Sequence, residues 1–463
     1  MIAQKLLGNK KTIIILTAIC LLVGVLLFFH FLPKYDLPGK NLSPDLANES
    51  LLLVGESFLE ASGESSLMLF IDPNDWSIDI VDLNTFPNFH AAGILDARPF
   101  LLNGEQKWAV ATSGPGKMLI LGRSGHSWPD LKIEFEEESP DTYVRAIFVG
   151  DITGDGKEEI VTGTRPSGIL RYYTFVNGQW SGRTIDKLGI DERGSAIHDL
   201  LIADLNKNGL NEILLTTHIP IYQLTGKEDE LPKSKPKIIR YEFNQKQNTW
   251  SKEVLWEFTT TKLFGPGQLQ KFAQKLGGPP KTGSLDVYYQ HGRYLFFDDF
   301  AGDDAKEIVS NLRGGKQKLL VLNQQKTGSW QTMGIIENEL SLNRQTIATG
   351  DIDNNGKSEI LSTTVTDDAL LLYAYKQGAW KRTIIAKDLT GGANEGESVQ
   401  AIIILNSSTK KYKKILYVVS GLHANTTRFF LLSYTPSKDV WEKELVAELD
   451  IGIHAWHISP TFP

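Results

Sequence analysis

Four acidic loops contain the residues of this chain that are best suited to bind a metal ion. They read DITGDGKEEI from Asp151, DLNKNGLNEI from Asp204, DFAGDDAKEI from Asp299 and DIDNNGKSEI from Asp351. Each loop has Asp at its first position, Asp or Asn at its fifth, Glu at its ninth and Ile at its tenth. Oxygen ligands at alternate positions of a tight loop can surround a hard cation such as Ca²⁺ at roughly 2.3–2.6 Å. The spacing therefore predicts calcium binding.

Two interpretations of these loops remain open from the sequence. In the first, up to four structural calcium ions are bound by side chains at positions 1, 3, 5 and 9 and by the backbone carbonyl at position 7, which relieves repulsion among the carboxylates. In the second, the Asp and Asn side chains cap backbone N–H groups in Asx-type turns. The Asp351 loop has the fullest ligand set, whereas Ala301 leaves the Asp299 loop without a side-chain ligand at position 3. The candidate metal ligands are Asp151, Thr153, Asp155, Lys157, Glu159, Asp204, Asn206, Asn208, Leu210, Glu212, Asp299, Asp303, Ala305, Glu307, Asp351, Asp353, Asn355, Lys357 and Glu359.

The loops recur with a period that indicates a repeat architecture. Their first residues are 53, 95 and 52 residues apart, and seven tryptophans from Trp76 to Trp441 are spaced by 52, 52, 70, 80, 50 and 61 residues. Periods of this size are typical of propellers and solenoids. One repeat contains four short β-rich runs, YVRAIFVG, EIVTGT, GILRYYTF and WSGRTI. We predict an all-β fold, a seven-bladed β-propeller of four-stranded blades, in which the lone C-terminal strand GIHAWHISPTF completes the first blade.

At these residues the chain resembles the FG-GAP/VCBS repeat family, which includes the ligand-binding head of integrin α subunits and many bacterial surface proteins. The resemblance rests on D-x-x-x-D/N-x-x-x-E-I loops at a period near 52 and covers residues 49–463. It is closer to the bacterial VCBS-like group, because the Phe-Gly and Gly-Ala-Pro signature of the family is mostly absent. The resemblance implies a structural calcium ion in the loop between the first two strands of a blade. The same fold hosts adhesion modules, lectins and lyases, so it does not determine the function.

The N-terminal segment predicts a membrane anchor. Residues 12–32 read TIIILTAICLLVGVLLFFHFL, which is long enough to cross a bilayer; a cleaved signal peptide and a buried core helix are the alternatives. Three lysines before this run favour a cytoplasmic N-terminus, which makes residues 1–11 a short cytoplasmic tail. Residues 33–48 are predicted to be a linker, and residues 49–463 an exoplasmic propeller that is periplasmic, lumenal or extracellular. Cys20 is the one cysteine of the chain, so no intrachain disulfide can form.

Two insertions, at residues 218–235 and 259–290, interrupt the period. Because strands alternate in direction within a blade, we expect both insertions on the face opposite the acidic loops. Residues 267–276 of the second insertion have the apolar spacing of one short amphipathic helix. The insertions are interpreted as tolerated surface segments or as a lid or docking site over the central channel. The ligand-face candidates, expected where inner strands begin, are His90, Arg193, His198, Tyr288, Tyr289, His291, Arg344 and His454.

The composition excludes some function classes. The chain has 463 residues and a net charge of −7, which gives no basic surface for nucleic acid. The sequence contains no G-x-S-x-G, H-E-x-x-H or P-loop motif. We therefore expect a binding module for a protein or glycan; the alternatives are a polysaccharide-lyase or sugar-dehydratase type of enzyme that uses His, Tyr and Arg at the channel mouth, or a structural scaffold. An enzyme requires three or more of these polar side chains to converge in one pocket.

Overall fold

A computed structural model describes most of the chain beyond residue 50. The predicted anchor at residues 12–32 and the linker lie outside the described residues. Within the described part, no helix is both long enough and apolar enough to span a membrane. The described residues are 51–59, 63–86, 93–123, 131–141, 143–188, 196–218, 222–224, 235–258, 261–264, 285–289, 291–313, 318–325, 327–337, 346–364, 368–390, 397–405, 412–420 and 426–460.

The described chain is all β apart from one 3₁₀ turn at Leu83–Thr85. Alternating apolar residues and tight turns produce short strands, and neighbouring strands of each sheet are antiparallel. The strands are β1 (Leu51–Leu59), β2 (Gly63–Ile71), β3 (Ile78–Asp82), β4 (Gly93–Leu102), β5 (Glu105–Ser113), β6 (Lys117–Arg123), β7 (Leu131–Glu138), β8 (Tyr143–Gly150), β9 (Glu159–Arg165), β10 (Ile169–Val176), β11 (Gln179–Lys187), β12 (Ala196–Ala203), β13 (Glu212–His218), β14 (Tyr222–Leu224), β15 (Lys237–Asn244), β16 (Thr249–Glu257), β17 (Thr261–Phe264), β18 (Leu285–Tyr289), β19 (His291–Asp298), β20 (Glu307–Arg313), β21 (Lys318–Gln324), β22 (Trp330–Glu337), β23 (Ile347–Gly350), β24 (Glu359–Thr364), β25 (Ala369–Lys376), β26 (Ala379–Ala386), β27 (Ser398–Leu405), β28 (Lys414–Ser420), β29 (Thr427–Thr435), β30 (Val440–Leu449) and β31 (Ile453–Pro460).

These strands form a β-propeller arrangement. Five separate four-stranded sheets have the orders β31-β1-β2-β3, β12-β13-β15-β16, β19-β20-β21-β22, β23-β24-β25-β26 and β27-β28-β29-β30. Five such blades are fewer than the seven predicted. The difference arises because strands β4 to β11 form one eight-stranded sheet, which is joined in the middle by a single residue pair, Ser113 with Tyr143.

The C-terminal strand closes the arrangement, as the sequence predicted. β31 pairs with β1 from Leu51–Pro460 to Ser57–Ile453. The innermost strand of each four-stranded unit is the one that begins its strand order, which is β31 in the first blade. Inner strands of neighbouring units are in contact. The contacts run from β4 to β8, β12, β19, β23, β27 and β31, and β31 contacts β4 again.

The hydrophobic core is divided among the seams between neighbouring sheets. One cluster joins β1–β3 to β27–β31, and others lie between each further pair of successive four-strand units. The periodic tryptophans belong to these seams. Trp250 at the start of the outer strand β16 packs on Phe243 of its own sheet and, with ring centroids 5.8 Å apart, on Tyr172 of the preceding unit. Trp180 makes the same kind of contact with Phe175 and Phe100.

The two insertions meet in a three-stranded sheet that the sequence did not predict. β14 comes from the insertion at 218–235, β17 and β18 come from the insertion at 259–290, and β18 lies between the other two strands. The amphipathic helix predicted at residues 267–276 lies outside the described residues.

Candidate functional site

The four acidic loops share one hydrogen-bonding scheme. In each loop the carboxylate at position 1 accepts from the backbone N–H at position 6, and the side-chain oxygen at position 5 accepts from the N–H at position 7. These are the Asx-type caps that the second interpretation expects. Position 6 has a left-handed backbone in all four loops, which explains the glycine in three of them. The position-6 distances are 2.8 Å for Gly156–Asp151, 2.9 Å for Gly209–Asp204, 3.0 Å for Asp304–Asp299 and 2.9 Å for Gly356–Asp351.

The glutamate at position 9 of each loop is buried. Its carboxylate accepts from the backbone N–H at position 2, at 3.0 Å in the Asp151 loop and 2.8 Å in the Asp351 loop. Burial raises the pKa of Glu159, Glu212, Glu307 and Glu359 to about 7. Hydrogen bonds alone do not offset the cost of burying an ionised carboxylate, so a cation beside each glutamate would be favourable.

Two of the loops bring three carboxylates together. Oxygen atoms of Asp151, Asp155 and Glu159 lie within 4.8 Å of one another, and so do those of Asp351, Asp353 and Glu359. Thr153 takes part in the first group, since its hydroxyl donates to Glu159 at 3.3 Å. Oxygen atoms at this separation suit a calcium ion placed between them.

The other two loops differ, as their sequences suggested. The amides of Asn206 and Asn208 donate to Glu242 of β15 at 3.3 and 3.2 Å, so a carboxylate from outside the loop completes this cluster. In the Asp299 loop, Ala301 offers its carbonyl to the Lys357 ammonium at 3.0 Å instead of a side-chain ligand. In all four loops the backbone N–H at position 7 donates to the side-chain oxygen at position 5. The donors are Lys157, Leu210, Ala305 and Lys357.

One buried carboxylate oxygen atom in the Asp351 loop lacks a hydrogen-bond partner among the described residues. This atom is Oδ1 of Asp353. Buried carboxylate oxygens are normally hydrogen-bonded or bound to a metal. The residues of this loop therefore fit a calcium ion by chemistry and by an unsatisfied ligand atom.

A second candidate site lies where the inner strands converge. A cavity of about 410 Å³ is lined by residues of β4, β8, β12, β19, β23, β27 and β31. Its polar side chains include Asp96, Arg98, Arg145, His198, Asp199 and Tyr294. Aromatic and aliphatic residues such as Phe148 and Ile402 complete the lining. A cavity that combines an apolar lining with a few convergent polar groups is typical of a ligand site.

The charged groups of the cavity also connect neighbouring inner strands. Arg98 forms an ion pair with Asp96, with Nε 3.4 Å from Oδ1, and donates to the carbonyl of Ile147 at 3.3 Å. Asp199 accepts from the N–H of Leu295 at 2.8 Å. Because inner strands are sheet edges, these bonds satisfy backbone groups that would otherwise lack partners.

Burial changes the acid–base properties of these groups. It raises the pKa of Asp199 to about 7, and it raises the pKa of Asp96 above its usual range although the Arg98 guanidinium opposes the change. Burial also lowers the pKa of Arg145. Near neutral pH the Asp199 carboxyl can therefore donate or accept a hydrogen bond.

The structure describes the positions of five of the eight ligand-face candidates. His198 lies in β12 and lines the cavity. His291 begins the inner strand β19, and His454 lies in the inner strand β31. Tyr288 and Tyr289 do not begin an inner strand, because they end β18 of the insertion sheet before the chain enters β19. His90, Arg193 and Arg344 lie outside the described residues.

The sequence analysis missed most of the cavity residues. Asp96, Arg98, Arg145, Asp199 and Tyr294 lie within inner strands whose other residues are mainly buried and apolar. A charged residue inside an otherwise apolar strand, such as Asp96, Arg145 or Asp199, was the sequence feature that could have indicated the cavity.

Similarity to known proteins is found in the three-dimensional structure and not in the sequence. No protein-family model matches the chain, and no curated protein matches its sequence. A lectin of Agrocybe aegerita that recognises non-reducing terminal N-acetylglucosamine has a similar structure, with a TM-score of 0.50, 11% identity, and coverage of 86% of this chain and 90% of the lectin chain. A candidate 6-phosphogluconolactonase from Bacteroides uniformis has a TM-score of 0.51, 10% identity, and coverage of 89% of this chain and 100% of its own. At this identity the likeness concerns the fold alone.

Proposed function

We propose that this protein is a calcium-stabilised propeller that binds a glycan in its central cavity. The observation that carries the proposal is the convergence of Asp96, Arg98, Arg145, His198, Asp199 and Tyr294 around one cavity of about 410 Å³. Charged and hydroxyl groups above an apolar wall are suited to sugars, which present hydroxyl groups and C–H faces. The glycan specificity of the structurally similar lectin is consistent with this function.

We further propose that the propeller has seven blades. In this interpretation the eight-stranded sheet is two blades, β4–β7 and β8–β11, which touch through the Ser113–Tyr143 pair. The seven inner strands that line the cavity support this count, and so do the seven hydrophobic seams.

The same proposal includes the binding of structural calcium ions by the acidic loops and membership of the FG-GAP/VCBS family. The Asp151 and Asp351 loops are the best sites, supported by their clustered carboxylates and by the unpartnered Oδ1 of Asp353. The ion would neutralise buried carboxylates and fix the turn between the first two strands of a blade. The Asp204 and Asp299 loops are the weaker sites of the four.

The cellular placement is proposed from the sequence. Residues 12–32 would anchor the chain in a membrane with a cytoplasmic N-terminus, and the propeller would lie on the exoplasmic side. Labelling of a cysteine placed in the propeller of intact cells with an impermeant thiol reagent would test this orientation. Protection from the reagent, with labelling only after lysis, would contradict it.

Glycan binding can be tested with an array of neutral and acidic oligosaccharides in calcium buffer. We expect the protein to bind a subset of the glycans and His198→Ala, which removes a cavity side chain, to weaken that binding about tenfold or more. Lys381→Ala, on the exposed outer strand β26, is the control and should bind normally. Binding that His198→Ala leaves unchanged would exclude the cavity as the site.

An enzyme remains a second candidate because of Asp199. A carboxyl group with a pKa of about 7, beside His198 and Tyr294 in one cavity, can transfer protons near neutral pH. Cleavage of uronate-containing polysaccharides by β-elimination would create unsaturated sugar ends that absorb ultraviolet light. If turnover is found, Asp199→Asn should abolish it without lowering the melting temperature, Tm.

A further inference from the structure

The strands at the outer edges of the propeller sheets differ in how regularly they pair. One residue is left out of the pairing with the neighbouring strand in each of β7, β11, β16, β22, β26 and β30. These residues are Glu134, Ile185, Leu255, Met333, Ile385 and Val446. Such bulges twist an edge and discourage the addition of a further strand. β3 is the exception, because it pairs with β2 without a shift from Ile71–Ile78 to Leu67–Asp82.

The backbone of β3 faces outward at alternate residues. At the end of the hairpin that joins β2 to β3, the N–H of Asp72 donates to the carbonyl of Ser77 at 3.0 Å. Antiparallel strands alternate between bonded and unbonded residue pairs, so the N–H and C=O groups of Ile78 and Ile80 point away from β2. Among the described strands, none pairs with this side of β3. Because Ile80 is 44% exposed, the edge is accessible to a partner.

The charge around this edge is negative. Residues 41–97 contain ten Asp and Glu residues and no Lys or Arg, so this segment carries more negative charge than the net −7 of the whole chain. Asp72, Asp75, Asp79 and Asp82 lie in β3 or in the turn before it, and none of them forms an ion pair with a residue that the structure describes. The outer strands of the neighbouring units, β7 and β30, also contain more acidic than basic residues. A positively charged partner is therefore favoured over a negative one.

We propose that β3 pairs with an extended, basic segment of a partner protein, which adds one strand to the first sheet. In this mode of recognition the outward backbone groups of Ile78 and Ile80 bond to the partner strand. The side chains of Asp79 and Ile80 point to opposite faces of the sheet, so a segment in which basic and apolar residues alternate matches both. The site is separate from the central cavity and does not depend on the proposed glycan binding.

The test uses the full-length chain and a fluorescent nine-residue peptide of alternating lysine and valine, with binding measured by anisotropy. A second peptide has the same sequence and charge, but its alternate backbone nitrogens are methylated, so it cannot pair as a strand. Ile80→Pro removes the outward N–H of β3 and leaves the bonds to β2. Ile384→Pro is the matched control, because Ile384 is 48% exposed on the bulged edge strand β26 and, like Ile80, stands four residues after a periodic tryptophan. Melting curves verify that each variant is folded.

We expect the original chain to bind the lysine–valine peptide about tenfold or more tightly than the methylated peptide. Ile80→Pro should remove this preference, and Ile384→Pro should leave it unchanged. Asp79→Asn should weaken binding a few-fold at low salt and less at high salt, because it removes an exposed charge. Equal binding of the two peptides, or binding that Ile80→Pro leaves unchanged, would show attraction by charge alone and overturn strand addition. Absence of binding to the lysine–valine peptide would overturn the proposal as well.

Discussion

At the scale of single residues, the buried loop glutamates link calcium to pH. Glu159, Glu212, Glu307 and Glu359 are almost inaccessible to solvent, and each accepts a backbone hydrogen bond from the second residue of its loop. An ionised carboxylate in this position is costly unless a positive charge is nearby. Protons and calcium ions should therefore compete for the same oxygen atoms.

This competition predicts how stability depends on pH. The glutamates ionise near 4.5 in the unfolded chain and near 7 in the folded chain, so folding takes up protons between these values. We expect the metal-free protein to lose stability as the pH rises from about 5 to 7 and then to level off. Calcium should stabilise the protein more strongly as the pH rises over the same window. Melting curves at several pH values, with and without calcium, measure both effects; a metal-free Tm that increases from pH 5 to 7 would contradict the burial effect.

A substitution at Asp353 should act in opposite directions with and without calcium. In calcium buffer, Asp353→Asn removes a ligand charge and should lower the Tm by a few degrees. In metal-free buffer it removes repulsion towards Asp351 and Glu359, so the Tm should stay the same or rise slightly. Asp388→Asn, exposed after β26, is the control. Equal destabilisation in both buffers would mean that Asp353 is only a turn residue.

At the scale of elements, the sequence predicted strands better than it predicted their irregularities. The four runs from YVRAIFVG to WSGRTI correspond to β8, β9, β10 and β11, because β-branched and aromatic residues alternate between turn residues. The bulges at Arg145 and His198 could not be predicted, since a bulge depends on how the neighbouring strand is paired. For this reason most of the cavity residues, with the exception of His198, were not predicted, whereas the acidic loops, which are local features, were.

The tryptophan spacing reflects packing between successive units. We expect Trp250→Ala and Tyr172→Ala each to lower the free energy of unfolding, and the double mutant to show a coupling of about 0.5–1.5 kcal/mol. The contact across the seam, with ring centroids 5.8 Å apart, is the reason. Denaturant titrations measure the three variants, with Thr249→Ala on the exposed neighbouring position as the control. Strict additivity would show that Trp250 stabilises only its own sheet.

At the scale of the whole molecule, the repeat period predicted the β-propeller arrangement and its closure by the C-terminal strand. It did not predict the insertion sheet, because β14 pairs with β18 across more than 60 residues of sequence. No local pattern specifies a partner at that distance. The same limit applies to the cavity, whose lining extends from Leu95 to Ile458. Its chemistry exists only after strands from all parts of the chain have assembled.

The pairing of β31 with β1 sets an order of events during synthesis. Among the described strands, β1 leaves the ribosome first and β31 only after the others, so the edge of β1 stays unpaired while the intervening strands are synthesised. A nascent chain that ends at residue 452 should remain open to proteases. A peptide of residues 451–463 should restore protection, whereas the same peptide with Ile458→Asp, a buried seam residue, should not. Protection of the shortened chain without any peptide would show that closure does not depend on β31.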